Sequence, residues 1–453
     1  MTNNESINPA AASDTFVETE TISYGSRVGD SFKGMIPGLL LFLAGFPLLF
    51  WNEGRAVKTA RALDEGQGVV IEVDTNKEID PDNEGKLVHM TGKADTQEIL
   101  EDPDFGVAEN CIRLERRAEI YQWVENAKTT EKKNMGGSVT RSTTYSYALK
   151  WCDDAVDSSG FKKPGHDNPA GGKEFASETW LAEDVAFGAF HLSDKHIQRI
   201  GGDKSYRFPE NFTARVDRVQ MTSHYLFLPV RTFTDNTLTN AIAAFTTNLV
   251  NGVVTNVLGA VAANSNVVRH AVRDVASSPQ PGDMRISYRI VKPHDISLVA
   301  KQRGESFVAF TSKKGDGYKV DLLQDGVADA AEMFESARTG NAVLTWFLRI
   351  VGFMIMCLGL KKVLAPLSTI GDVLPFLGSI LSVGLGFVAG VIAFVCALVT
   401  IAVAWIFYRP VVGVILLVVA GGGIYLLWSK RAAIKDKAAQ IKSAVDAKTA
   451  KGE

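Results

Sequence analysis

Long apolar runs lie near the two ends of this chain, and period-two alternation fills much of the stretch between them. The runs cover 35–51, 342–360, 373–408 and 411–428. A bilayer-crossing helix needs about 20 mostly apolar residues, because each adds 1.5 Å across a ~30 Å hydrocarbon core. The run 411–428 carries no charge and has about that length. The run 373–408 is also uncharged but would measure ~50 Å as one helix, so the span is predicted at 378–407, with the segment around Pro375 as an interfacial lead-in. Tyr408-Arg409-Pro410 then turns the chain into the last helix, since proline is preorganised for a first helical position.

The run 342–360 has to include Arg349, because the apolar residues between Arg349 and Lys361-Lys362 are too few to cross. The run 35–51 is the shortest and contains Pro37 and Pro47. It does not read as a signal peptide: a polar stretch precedes it, and it ends in Phe50-Trp51-Asn52-Glu53 without a small-x-small cleavage site. An amphipathic continuation is predicted through Arg55, Lys58 and Arg61.

Between the apolar ends, alternation predicts strands around 69–73 and 87–92. A long hairpin is predicted from 111–129 and 138–152, broken at Gly136-Gly137. A Gly/Pro/Asn/Asp loop follows at 158–172, and Ser193 is placed to cap a short helix ended by Gly201-Gly202. Alternation returns at 284–291 and 296–301, and Gly304 opens a second hairpin into 306–310. A helix at 328–338 feeds the second span. The segment 238–276 is rich in small residues and asparagine, and reads as a buried or self-packing helical insertion, with a membrane-surface helix as the alternative. Residues 1–30 have little apolar content and are expected to be disordered.

The predicted fold class is therefore an α-helical integral membrane protein with four transmembrane helices and a large extracytoplasmic α+β region, rich in β-hairpins, over 52–341. Lysine and arginine dominate the tail at 429–453, and Lys361-Lys362 and Lys33 flank other spans on the same side. By the excess of cationic residues in cytoplasmic flanks, both termini are expected in the cytoplasm and the middle region on the other side. Arg55, Lys58 and Arg61 argue mildly the other way.

The net charge of −3 gives no sign of nucleic-acid binding. There is no phosphate loop, dinucleotide fingerprint, HExxH, CxxC or GxSxG motif, and the seven histidines are scattered, so no catalytic residue, metal site or cofactor is expected. Arg349 has two readings. It snorkels to the near interface beside Trp346, the reading preferred because no acidic residue lies in another span, or it pairs inside the bundle with a carboxylate or backbone carbonyls. Gly34-x-x-x-Gly38 and Gly386-x-x-x-Gly390 let helix backbones approach closely. Cys111 and Cys152 lie near the distal ends of the long hairpin and are a candidate disulfide, with free thiols as the alternative.

Several stretches resemble the LUMA family (transmembrane protein 43 family). They are LFLAGFPLLFWNEGRAVKTARALDEG at 41–66, IYQWVE at 120–125, TTYSYALKW at 143–151, GHDNP at 165–169, GDMRISY at 282–288, KQRGESFVAFTSKKGD at 301–316, TWFLRIVGFMIMCLGL at 345–360 and AVAWIFYRP at 402–410. They run in order over most of the chain. The segment 238–276 and the loop around 365–375 depart from the family pattern. The resemblance implies four spans, a large luminal region after the first, and membership of the endoplasmic reticulum and nuclear envelope in animals, where such proteins self-associate and bind lamins and emerin. A bacterial member would sit in the inner membrane. It transfers no catalytic residue.

The expected function is a membrane scaffold or organiser, not an enzyme, with membrane lipids, further copies of itself and other membrane or envelope proteins as partners. The residues expected to carry packing or function are Trp51, Asn52, Glu53, Gly54, Arg55, Arg349, Gly386 and Gly390. The alternative function is transport or pore formation with Arg349 as an intramembrane charge.

Overall fold

The computed structural model describes residues 14–418, apart from 76, 217, 231–273, 374, 412, 414, 416, 417 and the side chains of 375–380. The predicted insertion at 238–276 and the fourth predicted span lie almost wholly outside the described residues, as does the basic tail.

Three long helices dominate the described chain. Helix α1 (Tyr24–Val69) contains the first predicted span but begins well before it and continues well past it. Ser23 caps it, its side chain accepting from the Ser26 N–H. A short helix α2 (Asp194–Arg199) starts after Ser193 as expected, although the Ser193 hydroxyl meets His196 Nδ1 at 2.8 Å rather than a backbone N–H. Helix α3 (Ala330–Gly371) merges the expected 328–338 helix and the second span into one rod, capped by Asp329 at the Glu332 N–H. Helix α4 (Pro375–Tyr408) begins directly at the proline, in place of the predicted lead-in. Helices α1, α3 and α4 each contain a stretch long and apolar enough to cross a membrane.

The β-rich region holds two principal sheets. One contains strands β1 (Thr15–Ile22), β3 (Arg113–Lys133), β4 (Val139–Cys152) and β5 (Met284–Val291), ordered β1-β4-β3-β5 and all antiparallel. The other is built on β2 (Leu87–Asp95) and β6 (His294–Arg303), paired antiparallel from Leu87↔Lys301 to Ala94↔His294. Alternation buries one face of each sheet: Leu114, Ala118, Ile286 and Tyr288 in the first, Val88, Met90, Ile296 and Leu298 in the second. A third cluster joins Ala62 and Leu63 of α1 and Met333 and Phe334 of α3 to Leu87, Val299 and Val320. The membrane-type helices and the β-rich region therefore share one packed core.

Two sequence expectations change here. Residues 14–30 are ordered, as β1 and the start of α1. The first sheet also extends into an arm of β1, β4 and the distal half of β3. Its tip, Asn134–Ser138, is closed by the Asn134 N–H on the Ser138 carbonyl (2.9 Å), with Gly136 and Gly137 both at positive φ (83° and 80°). That tip sits at the beginning of α1 and the end of α3, the far ends of the bundle from the shared core.

Of the two readings of Cys111 and Cys152, the free-thiol one holds. Cys111 and Cys152 are free thiols. Cys152 pairs in register with Ile120, and Arg113 to Ile120 alone is ~23 Å of strand, well beyond disulfide reach. Cys111 is instead buried in the first sheet's core, and burial pushes its thiol up to about 12.

Candidate functional site: a buried ion pair where three helices meet

Helices α1 and α3 pack antiparallel and close, and the reason is two pairs of glycines seven residues apart. Gly38 faces Gly359, and Gly45 lies against Gly352 and Met356. A side chain on Gly38 would come within 2.6 Å of Lys362 Cβ, and one on Gly359 within 2.6 Å of the Gly38 carbonyl oxygen. Backbones at this distance exclude any larger residue. Of the predicted small-residue positions, only Gly38 makes such a contact; Gly34 and Gly390 face open space, and Gly386 has only the end of the Lys361 side chain near it.

Beyond these contacts, polar groups from all three helices converge. Arg349 of α3 donates to Glu53 of α1 in a bidentate pair, Nε to Oε1 at 2.6 Å and Nη2 to Oε2 at 2.8 Å. Trp405 of α4 donates its indole N–H to the same Glu53 Oε2 at 2.8 Å. The Glu53 side chain is 3% exposed and that of Arg349 16%, so the pair is largely withdrawn from solvent. The guanidinium lies over the Trp346 ring at 4.7 Å and near the Trp405 ring at 5.8 Å, which adds cation–π attraction on its faces.

One turn further along, Arg55 donates to Asn341 Oδ1 (2.9 Å), Thr345 Oγ1 (2.8 Å) and Asn52 Oδ1 (3.3 Å). Asn52 in turn donates to the Thr345 carbonyl at 3.1 Å, and Asn341 to the Ala56 carbonyl at 3.0 Å. Gly54 is where α4 touches α1: a Cβ there would sit 2.5 Å from Tyr408 Cζ, and Arg61 holds the Tyr408 carbonyl at 2.8 Å. Trp51 alone of this set points outward, 54% exposed.

The cluster therefore gathers Asn52, Glu53, Gly54, Arg55 and Arg349 of the predicted residues. The structure chooses the pairing reading of Arg349 over the snorkelling one. The carboxylate was hidden from the sequence pattern because Glu53 follows the apolar run rather than lying inside it. Asn341, Thr345, Trp405 and Tyr408 were missed. The i, i+4 spacing of Asn341 and Thr345 was the available signal for two of them, since it puts both on one helix face.

The chemistry of the cluster is closed. The carboxylate is neutralised by a guanidinium, both of its oxygens are occupied, and no volume separates the partners. The Glu53–Arg349 pair can fix three helices in register.

Three apolar helices bound by a buried ion pair, with a β-rich region on the same core, define an integral membrane protein. Residues 120–410 match the family model described as Transmembrane protein 43. The chain is 30% identical to human transmembrane protein 43 over 85% of this chain and 86% of that protein, and likewise 30% identical to the mouse protein over the same shares. It is 29% identical to the fruit-fly homologue over 87% of this chain and 93% of that one. The chain belongs to the transmembrane protein 43 family. No solved structure matches it.

Proposed function

We propose that the protein is a membrane scaffold that self-associates and recruits other proteins through its β-rich region. The observation that carries this reading is the closed Glu53–Arg349–Trp405 cluster. It commits Arg349, the charged residue of the predicted second span, to holding α1, α3 and α4 together. A transport role for Arg349 would require it to face a path, whereas here its partners fill both of its sides. The shared core of α1, α3 and the β-rich region adds support, because a scaffold needs its recruiting surface fixed relative to the membrane.

Chemical crosslinking and light scattering of the purified full chain in a mild detergent test the proposal. Oligomers that persist on dilution are expected. A strict monomer that crosslinks to nothing in its native membrane overturns the reading.

A further inference from the structure

Helices α3 and α4 pack through Phe353 and Phe394, which meet edge to face with ring centroids 6.1 Å apart. Further along, α3 ends at Gly371 and α4 begins at Pro375, so the two helices are also joined there. Between the phenylalanine pair and the joint lies a cleft of about 580 Å³. Lys361, Leu364 and Ser368 line it from α3, and Ser382, Val383 and Phe387 from α4. That is the size of a small-ligand site. Val383 and Phe387 on its rim are 75% and 73% exposed, so the cleft opens toward whatever surrounds the helices.

The charge in this cleft is unbalanced. The apolar run of α3 ends at Leu360, and Lys361 follows it at the edge of the hydrocarbon. No aspartate or glutamate lies in α3 between Glu335 and Asp372, and none lies anywhere in α4. The two carboxylates at this end of the bundle are already committed. Asp372 takes Arg27 and Lys133, at 2.6 Å each, and Asp30 takes Lys33 at 3.3 Å. Lys361 makes no hydrogen bond or ion pair among the described residues. Its stem instead lies against Gly386 of α4, where a Cβ would stand 3.6 Å from Lys361 Cε. Glycine at 386 therefore leaves the ammonium its place beside the α4 backbone, within the cleft wall.

We propose that this cleft binds a phospholipid with an anionic headgroup. The phosphate sits on the Lys361 ammonium, the headgroup reaches the hydroxyls of Ser368 and Ser382, and an acyl chain leaves over Val383 and Phe387. The charge complementarity is direct: a cation without a protein counter-ion, set between two membrane helices, meets the one anion that a bilayer supplies at that depth. The apolar rim selects a lipid over a free anion, which would leave Val383 and Phe387 uncovered. A zwitterionic lipid fits less well, because its own ammonium competes with Lys361 for the phosphate. The inference needs only that α3 and α4 lie in a bilayer; it does not rest on the scaffold proposal.

Lys362 supplies an internal control. It carries the same charge one residue on, but its Cβ packs at Gly38 of α1 and it does not line the cleft. The test titrates the purified full chain in a nonionic detergent with dioleoyl phosphatidylglycerol or dioleoyl phosphatidylcholine, read by native mass spectrometry. The parent should bind the anionic lipid at least about tenfold more tightly, the range of one charge-assisted hydrogen bond. Lys361→Gln should remove that preference, while Lys362→Gln should keep it to within about twofold. Gly386→Leu, which fills the cleft from the α4 side, should weaken binding of both lipids.

Equal affinity of the parent for the two lipids overturns the proposal. So does an equal loss in Lys361→Gln and Lys362→Gln, which would mark general attraction to a basic surface. Displacement of the anionic lipid by inorganic phosphate overturns the lipid as occupant in favour of a free anion. A parent chain that binds neither lipid overturns it as well, because the cleft is then covered by another part of the chain.

Discussion

Replacing Glu53 by leucine is the sharpest perturbation of the helix cluster. It leaves the Arg349 guanidinium buried with no counter-charge, held only by the faces of Trp346 and Trp405. Breaking a buried ion pair from one side typically costs about 3–5 kcal/mol, mostly the desolvation of the abandoned charge. Arg349→Met strands Glu53 in the same way, except that Trp405 Nε1 still donates to it. Its cost should sit at the lower end of the same range, about 3 kcal/mol. The two together remove both charges and leave one indole N–H unpaired, a loss of about 1–3 kcal/mol. The double variant should therefore be more stable than either single one, with costs that do not add. The assay is equilibrium unfolding of the full chain in mixed detergent micelles, read by tryptophan fluorescence, to which Trp346 and Trp405 contribute from within the cluster. If either single replacement costs less than about 1 kcal/mol, or the double replacement costs the sum of the singles, the pair is not the buried lock described here.

Other expectations follow from single contacts. Gly359→Leu drives a side chain into the Gly38 carbonyl oxygen and should abolish monodisperse purification, while Gly390→Leu, facing open space, should purify as the parent does in size-exclusion chromatography. Asn168→Ala removes both the acceptor for the Trp123 N–H and the donor to its carbonyl, and should lower stability by about 1–3 kcal/mol in denaturant titration. Burial works to raise the Asp321 carboxyl, but His196 and Arg199 together outweigh it and hold the group below the usual carboxylate range. A carboxyl depressed in the folded state contributes stability above its unfolded pKa and loses it as pH falls through the folded one, so Asp321→Asn should flatten the acid limb of a melting-temperature profile and leave its neutral-to-basic shape unchanged. Cys111, buried and with its thiol pushed up to about 12, should resist maleimide at pH 8 until the chain is unfolded; labelling in the native protein would contradict its placement.

The apolar runs and the long hairpin were legible because each repeats a signal along its length: continuous hydrophobicity in one, period-two alternation in the other. What escaped the pattern was contact between distant segments. TFVETETI at Thr15–Ile22 puts Phe16 and Ile22 on the same face as Glu18 and Glu20, so no apolar face marks it as a strand; it pairs because β4 offers an edge. Glu53 escaped for a related reason. As the second residue after an apolar run it reads as a flank, and its burial depends on where Arg349 and Trp405 arrive from elsewhere in the chain. The glycine pairs escaped because they recur at seven-residue spacing in an antiparallel packing, not at the four-residue spacing that marks right-handed dimers.

These omissions share a consequence for how the molecule works. The span boundaries read from hydrophobicity place residues 1–30 and the β-rich region on opposite sides of a membrane, whereas the strand pairing places residues 14–22 on the β-rich region itself. Each arrangement satisfies its own physics, lipid burial in one and edge pairing in the other, and one short strand cannot meet both at once. The joint at Ser23 decides between them, because it is where a polar strand becomes the first turn of an apolar helix. An ion pair that locks α1 to α3 and α4 leaves the helices no freedom to resolve the conflict by separating. The least anchored element in that conflict is β1, an exposed strand with one strand neighbour among the described residues.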